Sequence, residues 1–209
     1  MAITALDHIV YASPDLSLAI ERVSALTGVQ PVRGGSHSGR GTRNALFSLG
    51  SDQDVEVLAP DPTQPPEALA RATNRIPAKA RITTWVAKCN DLEEAIRTAA
   101  QHGLDLGHIE AMSRSLPSGD QLSWRLTRGA EPGEGLVPFL IDWSTTPHPA
   151  LSSPTGCALR FFRAEHPDPF RVRDYLALLG LQDALEVSYG PEPRLLAGLS
   201  TPNGEVVLE

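Results

Sequence analysis

Residues 34–58, GGSHSGRGTRNALFSLGSDQDVEVL, decide the fold of this 209-residue chain. The stretch opens on a glycine-rich segment carrying His37 and Arg40, continues as the alternating run RNALFSL, turns through GSDQD and returns as DVEVLA. Two β-prone runs separated by turn residues predict a hairpin. Side chains alternate across a strand, so Val55 and Val57 share one face while Glu56 and Leu58 share the other. A carboxylate among apolar neighbours needs a cation, a donor or water. A candidate partner lies upstream in LDHIVYA, where His8 falls on the same strand face as Leu6, Val10 and Ala12. A His and a Glu on the inward faces of two strands make either a metal pair or a buried hydrogen bond.

Working outward, the composition narrows the class. An apolar content of 41% is ordinary for a globular protein with a sizeable core. A net charge of −7 argues against nucleic acid and anionic membranes as main partners. No apolar run approaches the roughly 20 residues that a spanning helix needs. The start, MAITALDH, lacks signal-peptide character and runs straight into a strand. Cys89 and Cys157 form no CxxC pair and read as reduced thiols, so the expected location is cytoplasmic. The glycine-rich segment is not followed by Gly-Lys-Ser/Thr, no GxSxG occurs, and nothing marks a nucleotide cofactor.

The remaining chain repeats one pattern. TALDHIVYA reads as a strand, followed by a helix with Ser13 as N-cap, Pro14 at its first position and Gly28 at its end. RITTWVAK reads as a strand, followed by a helix with the capping-box pair Asn90 and Glu93 and the terminal Gly103. LSWRLTR and LVPFLIDW read as further strands. CALRFFRAE leads into a helix from Asp168 to Gly180, and PRLLAGLST and GEVVLE close the chain as strands. Residues 60–80 and 144–156 are proline-rich and read as linkers, the first with one helical turn near Glu67 to Arg71. The acids Asp15, Asp91 and Asp168 lie about 76 residues apart, as do Gly28, Gly103 and Gly180. The expected architecture is α+β: βαβββ modules at 5–60 and 81–143 within a domain spanning 1–150, and a third such module in 151–209.

LDHIVYASPDL, HSGRGTRNALFSL, VEVL and PFLIDW together resemble the vicinal oxygen chelate superfamily, and more closely its glyoxalase-like branch. The resemblance implies paired βαβββ modules curled as a mixed sheet around a cleft, with a metal bound to inward residues of the first and last strands of each module. Carried over by position, His8 and Glu56 match the ligands of the first module. The second module departs from the pattern: Thr84 stands at the first-strand place, and Leu140 or Asp142 at the last-strand place. His37 is a third ligand, an acid/base or a loop histidine. Imidazole and carboxylate suit Zn, Mn, Fe or Ni alike.

Around that site, Arg40 and Arg114 are expected to flank the cleft and favour an anion. Asn44 either donates to a substrate oxygen or caps a turn, Trp124 offers an aromatic wall, and Asp142 offers a polar contact. The implied function is a metal-dependent lyase, isomerase or dioxygenase acting on a small oxygen-rich molecule, with Glu56 or His37 moving the proton. The alternative is a metal-free sequestering protein of the same fold. Leu159 and Phe161 on the third module need cover, from the first two modules or a second chain, and a homodimer is the expected assembly.

Overall fold

The structure is a computed structural model that describes residues 3–115, 121–130 and 132–209. The first segment contains β1 (Ile3–Ala12), α1 (Leu16–Thr27), β2 (Val32–His37), β3 (Thr42–Ser48) and β4 (Asp54–Pro60). After α2 (Pro66–Arg75), the second contains β5 (Arg81–Cys89), α3 (Leu92–Gln101), β6 (His108–Ser115), β7 (Gln121–Arg128) and β8 (Phe139–Asp142). The third contains β9 (Ala158–His166), α4 (Pro169–Leu178), β10 (Glu186–Tyr189), β11 (Arg194–Thr201) and β12 (Gly204–Leu208).

The spaced acids and glycines have one physical role each. Asp15, Asp91 and Asp168 are the N-caps of α1, α3 and α4, each accepting a hydrogen bond from the third residue onward. Gly28, Gly103 and Gly180 follow those helices at φ between 72° and 75°, the left-handed turn that a side chain resists. The caps correct two expectations: Ser13 is replaced by Asp15 as the cap of α1, and Asn90 by Asp91 as the cap of α3. The first linker is also corrected, because α2 extends over ten residues rather than one turn. Pro66, read as a breaker, occupies the first helical position, where a missing N–H costs nothing.

The first two segments close into one eight-stranded barrel with the order β1-β4-β3-β2-β6-β7-β8-β5. Each half has its first strand parallel to its last, β1 with β4 and β5 with β8, and the halves join antiparallel through β1 and β5. The other seam is thin: among the described residues β2 and β6 share one register pair, His37 with Arg114. The third segment has the same element order but a different sheet, β10-β9-β11-β12, in which the first strand lies inside and pairs parallel with β10.

Strand alternation divides the core. Ile9 and Tyr11 of β1, and Trp85 and Ala87 of β5, point out of the barrel into one apolar core shared with α1, α3, α4 and the third sheet. Phe162 of β9 packs edge-on against Trp85 at 5.6 Å, and Glu209 accepts the amide of Ile82 at 2.7 Å. Burying a side chain such as Trp85 or Phe162 contributes a few kcal/mol, roughly 1.5–3 each, so this face fastens the third sheet to β5. Val10, Val86, Trp124, Leu126 and Ile141 point inward and form a second, smaller cluster. They make the apolar wall of a cavity of about 620 Å³ inside the barrel.

Candidate active site

The polar wall of the cavity comes from the hairpin and β1. His8 and Asp54 are register partners on neighbouring strands, and Val10 and Glu56 are the next such pair. Period-2 alternation therefore turns His8, Asp54 and Glu56 to the same face, and all three line the cavity. Across the hairpin, Asn44 donates to Glu56 Oε1 at 2.6 Å. His37, at the end of β2, brings its Nε2 within 3.7 Å of the same oxygen, while His8 Nε2 stands 3.9 Å from Glu56 Oε2.

Both imidazoles are held from behind. His8 Nδ1 is 2.7 Å from Asp7 Oδ1, and His37 Nδ1 is 2.9 Å from Thr42 Oγ1. Asp7 is fully buried and gathers three partners: His8, the Trp143 indole N–H at 3.0 Å, and His148 Nε2 at 3.2 Å. Each histidine thus has its Nδ1 committed and its Nε2 turned towards one carboxylate.

The electrostatics differ sharply between the groups. Burial pulls His8 down, but the hydrogen bond and charge of Asp7, with the charges of Glu56 and Asp54, raise it to about 9. Burial drives His37 down, and the Arg114, Arg128 and His8 charges reinforce this against the pull of Glu56, so it is a neutral imidazole. Burial opposes ionisation of Glu56, yet the two histidines, Asn44 and Arg114 hold it below the usual carboxylate range. Burial opposes ionisation of Asp7 as well, yet the adjacent His148 and the hydrogen-bonded His8 hold it below that range. Asp54 goes the other way: burial lifts it to about 6, and no hydrogen bond offsets the cost.

Arg114 reaches in from β6 and is 4% exposed, and its Nη1 finds no hydrogen-bond partner among the described residues. Gly34 makes this possible, since a Cβ there would lie 2.2 Å from Nη1 and 2.4 Å from Asn44 Oδ1. Arg40 also lines the cavity and pairs with Glu110 at 2.6 Å. Trp124 is on the apolar wall, edge-on to His37 at 6.1 Å.

Asp142 requires a correction. The inward positions of β8 are Phe139 and Ile141, followed by Trp143, so Leu140 and Asp142 face outward. Asp142 pairs with Arg125 at 2.8 Å, outside the cavity. Ile141 therefore takes the place opposite Glu56 and, with Thr84 on β5, gives the second half of the barrel no strong ligand. Sequence reasoning missed Asp7, Asp54 and the arginines of α2. Asp54 was legible as the inward residue two before Glu56, whereas strict alternation assigns Asp7 to the outward face, where a carboxylate reads as solvated; a register irregularity between Leu6 and His8 breaks that alternation, and Leu6 joins the outer core rather than the face of His8.

The donor set matches a divalent metal in its chemistry. Two neutral-capable imidazole nitrogens and a carboxylate form the two-histidine, one-carboxylate combination, and the Asp7 and Thr42 contacts are the outer supports that such ligands use. Among the described residues, no three His, Cys, Asp or Glu side chains already converge on one point. Ligands about 2.1 Å from one ion lie roughly 3–3.4 Å apart, so the 3.7 and 3.9 Å separations here exceed that edge by about half an ångström.

Comparison with known proteins agrees with this architecture. No curated protein matches the sequence significantly. A hypothetical protein from Staphylococcus aureus superposes with a TM-score of 0.64 at 14% identity, covering 97% of this chain and 84% of that one. A mutant of 4-hydroxymandelate synthase from Streptomyces coelicolor gives a TM-score of 0.54 at 14% identity, over 99% of this chain and 63% of that one. Methylmalonyl-CoA epimerase from Mycobacterium tuberculosis gives 0.44 at 22% identity, over 66% and 87%. At these identities the first two superpositions speak to the fold alone, and the third, below 0.5, carries no argument. The family model described as a glyoxalase-like domain matches residues 6–180, and the chain belongs to that family.

Proposed function

We propose that the barrel interior is the active site of a metal-dependent enzyme that moves a proton on a small oxygen-rich molecule, with His8, His37 and Glu56 as the metal ligands. One observation carries the reading: both histidines commit Nδ1 to a second side chain and present Nε2 to the two oxygens of Glu56. A divalent ion bound there supplies Lewis-acid stabilisation of negative charge developing on a substrate oxygen. Asp7 and Thr42 orient the two rings. Asn44 fixes the Glu56 carboxylate by donating to Oε1. Val86, Leu126, Ile141 and Trp124 exclude water from one side and strengthen every polar contact opposite.

Asp54 is the proton acceptor in this reading, in place of Glu56 or His37. It lines the same cavity, and a carboxyl near 6 is ionised at neutral pH yet more basic than an ordinary one. The runner-up is a metal-free binding protein of the same fold. It draws support from the protonated His8 and the buried Arg114, which compensate Glu56 without an ion. Calorimetric titration of metal-stripped protein with Zn, Mn, Fe(II) and Ni separates the two. The enzyme reading expects one ion per chain, lost in His8→Ala and Glu56→Gln. Absence of binding for all four ions selects the binding-protein reading.

A further inference from the structure

We propose that the mouth of the cavity is an oxyanion site that takes a dianionic phosphoryl group at the far end of the ligand. The inference rests on the reading that the cavity binds a small molecule, but on none of its metal chemistry. Four of the arginines that line the cavity come from three separate elements. Arg40 comes from the β2–β3 turn, Arg71 and Arg75 from α2, and Arg128 from the end of β7.

They are gathered at one place. Glu110 bridges two of them, at 2.6 Å from Arg40 Nη2 and 3.4 Å from Arg128 Nε. Arg71 Nη2 donates to the carbonyl of Gly39, beside Arg40, at 3.3 Å. Arg75 and Arg40 both repel Arg128 and, with burial, depress its guanidinium. Among the described residues the four share that single bridging carboxylate, and Arg75 has no ion-pair partner. The other cavity-lining acid at this level, Glu134, is bound by His166 at 2.7 Å and Arg171 at 3.1 Å. Among the described residues three guanidinium charges are therefore uncompensated, on a chain whose net charge is −7.

Like charges held together without counter-ions destabilise a fold, and a ligand that supplies the missing charge removes that cost. A monocarboxylate leaves most of the positive charge uncovered, whereas a phosphoryl group brings about two negative charges and three acceptor oxygens for bidentate guanidinium contacts. The placement gives the ligand a direction. Its oxygen-bearing head lies against His8, Asp54 and Glu56, its body against Trp124 and Leu126, and its phosphoryl end among the arginines.

The test uses phenyl phosphate, benzoate and benzyl alcohol as probes, titrated calorimetrically into the full chain at low and moderate salt. Phenyl phosphate is expected to bind at least tenfold more tightly than benzoate or benzyl alcohol, and more weakly as salt rises. Arg75→Glu is exposed and breaks no ion pair among the described residues, so it is expected to fold normally and weaken phenyl phosphate by tenfold or more. Metal titration of the same variant is expected to match the wild type, which keeps failure at the mouth distinct from failure of the metal site. Equal binding of phenyl phosphate and benzoate, no effect of Arg75→Glu, or no detectable phenyl phosphate binding each overturns the proposal.

Discussion

On the proposed metal reading, the raised His8 gives ion binding a pH dependence that an ordinary histidine would not. An unperturbed imidazole near 6.5 interferes with a metal only in acid. His8, raised to about 9 by Asp7, Glu56 and Asp54, carries a proton at neutral pH that an incoming ion must displace. His37 is depressed and neutral, and Glu56 is ionised, so neither adds a proton to the exchange between pH 7 and 9. One displaced proton predicts a loss of affinity that approaches tenfold per pH unit, about fiftyfold between pH 9, where His8 is half protonated, and pH 7, roughly 2.3 kcal/mol.

Asp7→Asn probes the cause. A neutral amide keeps a hydrogen bond to Nδ1 but removes the charge, so burial is opposed by Glu56 and Asp54 alone and His8 falls from its raised value. The slope between pH 7 and 9 is expected to flatten, while affinity at pH 9 falls ten- to a hundredfold for want of the anionic support. Competition against a chromophoric chelator, with Ni as the ion and buffers of fixed ionic strength, reads both effects. A flat wild-type profile over this range, with binding otherwise stoichiometric, would refute the assignment of the proton to His8.

Asp54 is raised to about 6 from an ordinary 3.8, so the native state holds its proton more tightly and folding stability falls as pH rises between those values. Asp54→Asn is expected to be more stable than wild type at pH 7 by on the order of 1–3 kcal/mol in urea titrations, with the difference gone below about pH 4. The same variant should lose turnover once a substrate is in hand. Gly34→Ala places a methyl against Arg114 Nη1 and Asn44 Oδ1. Both are movable side-chain ends, so the fold is expected to survive with a loss of under about 1 kcal/mol, while metal affinity drops as the Asn44–Glu56 bond is displaced. Gly41→Ala, by contrast, meets the Ala68 carbonyl oxygen at 2.0 Å with φ at 72°. It should cost at least about 2 kcal/mol and loosen α2, seen as faster amide exchange across Pro66–Arg75.

Much of this architecture was legible from local chemistry. Aspartate caps and left-handed glycines recur because helix ends need them, and these marks alone locate α1, α3 and α4. Strand alternation placed His8 and Glu56 on inward faces because each sits in a run with unambiguous apolar neighbours. It failed in PFLIDW, where every residue before Asp142 is apolar and no turn fixes the parity, so Asp142 and Ile141 exchanged places. The helix α2 was hidden by two consecutive prolines, Pro65 and Pro66, whose positional value at a helix start looks like that of a linker. Its arginines were hidden with it. Asp7 was invisible for another reason: only the fold brings His148 and Trp143, about 140 residues away in sequence, onto this carboxylate at the Leu6–His8 irregularity of β1. The different strand order of the third sheet likewise depends on pairings that element order does not specify.

The measurement that tests the central claim most directly is anomalous diffraction from crystals soaked separately in Zn, Mn and Ni, recorded on both sides of each absorption edge. The account predicts one peak inside the barrel for at least one of these ions, within bonding distance of His8 Nε2, His37 Nε2 and a Glu56 oxygen, with the half-ångström gap at the carboxylate closed. Barrels that stay dark at every edge, or a peak only at surface residues away from this trio, would contradict it.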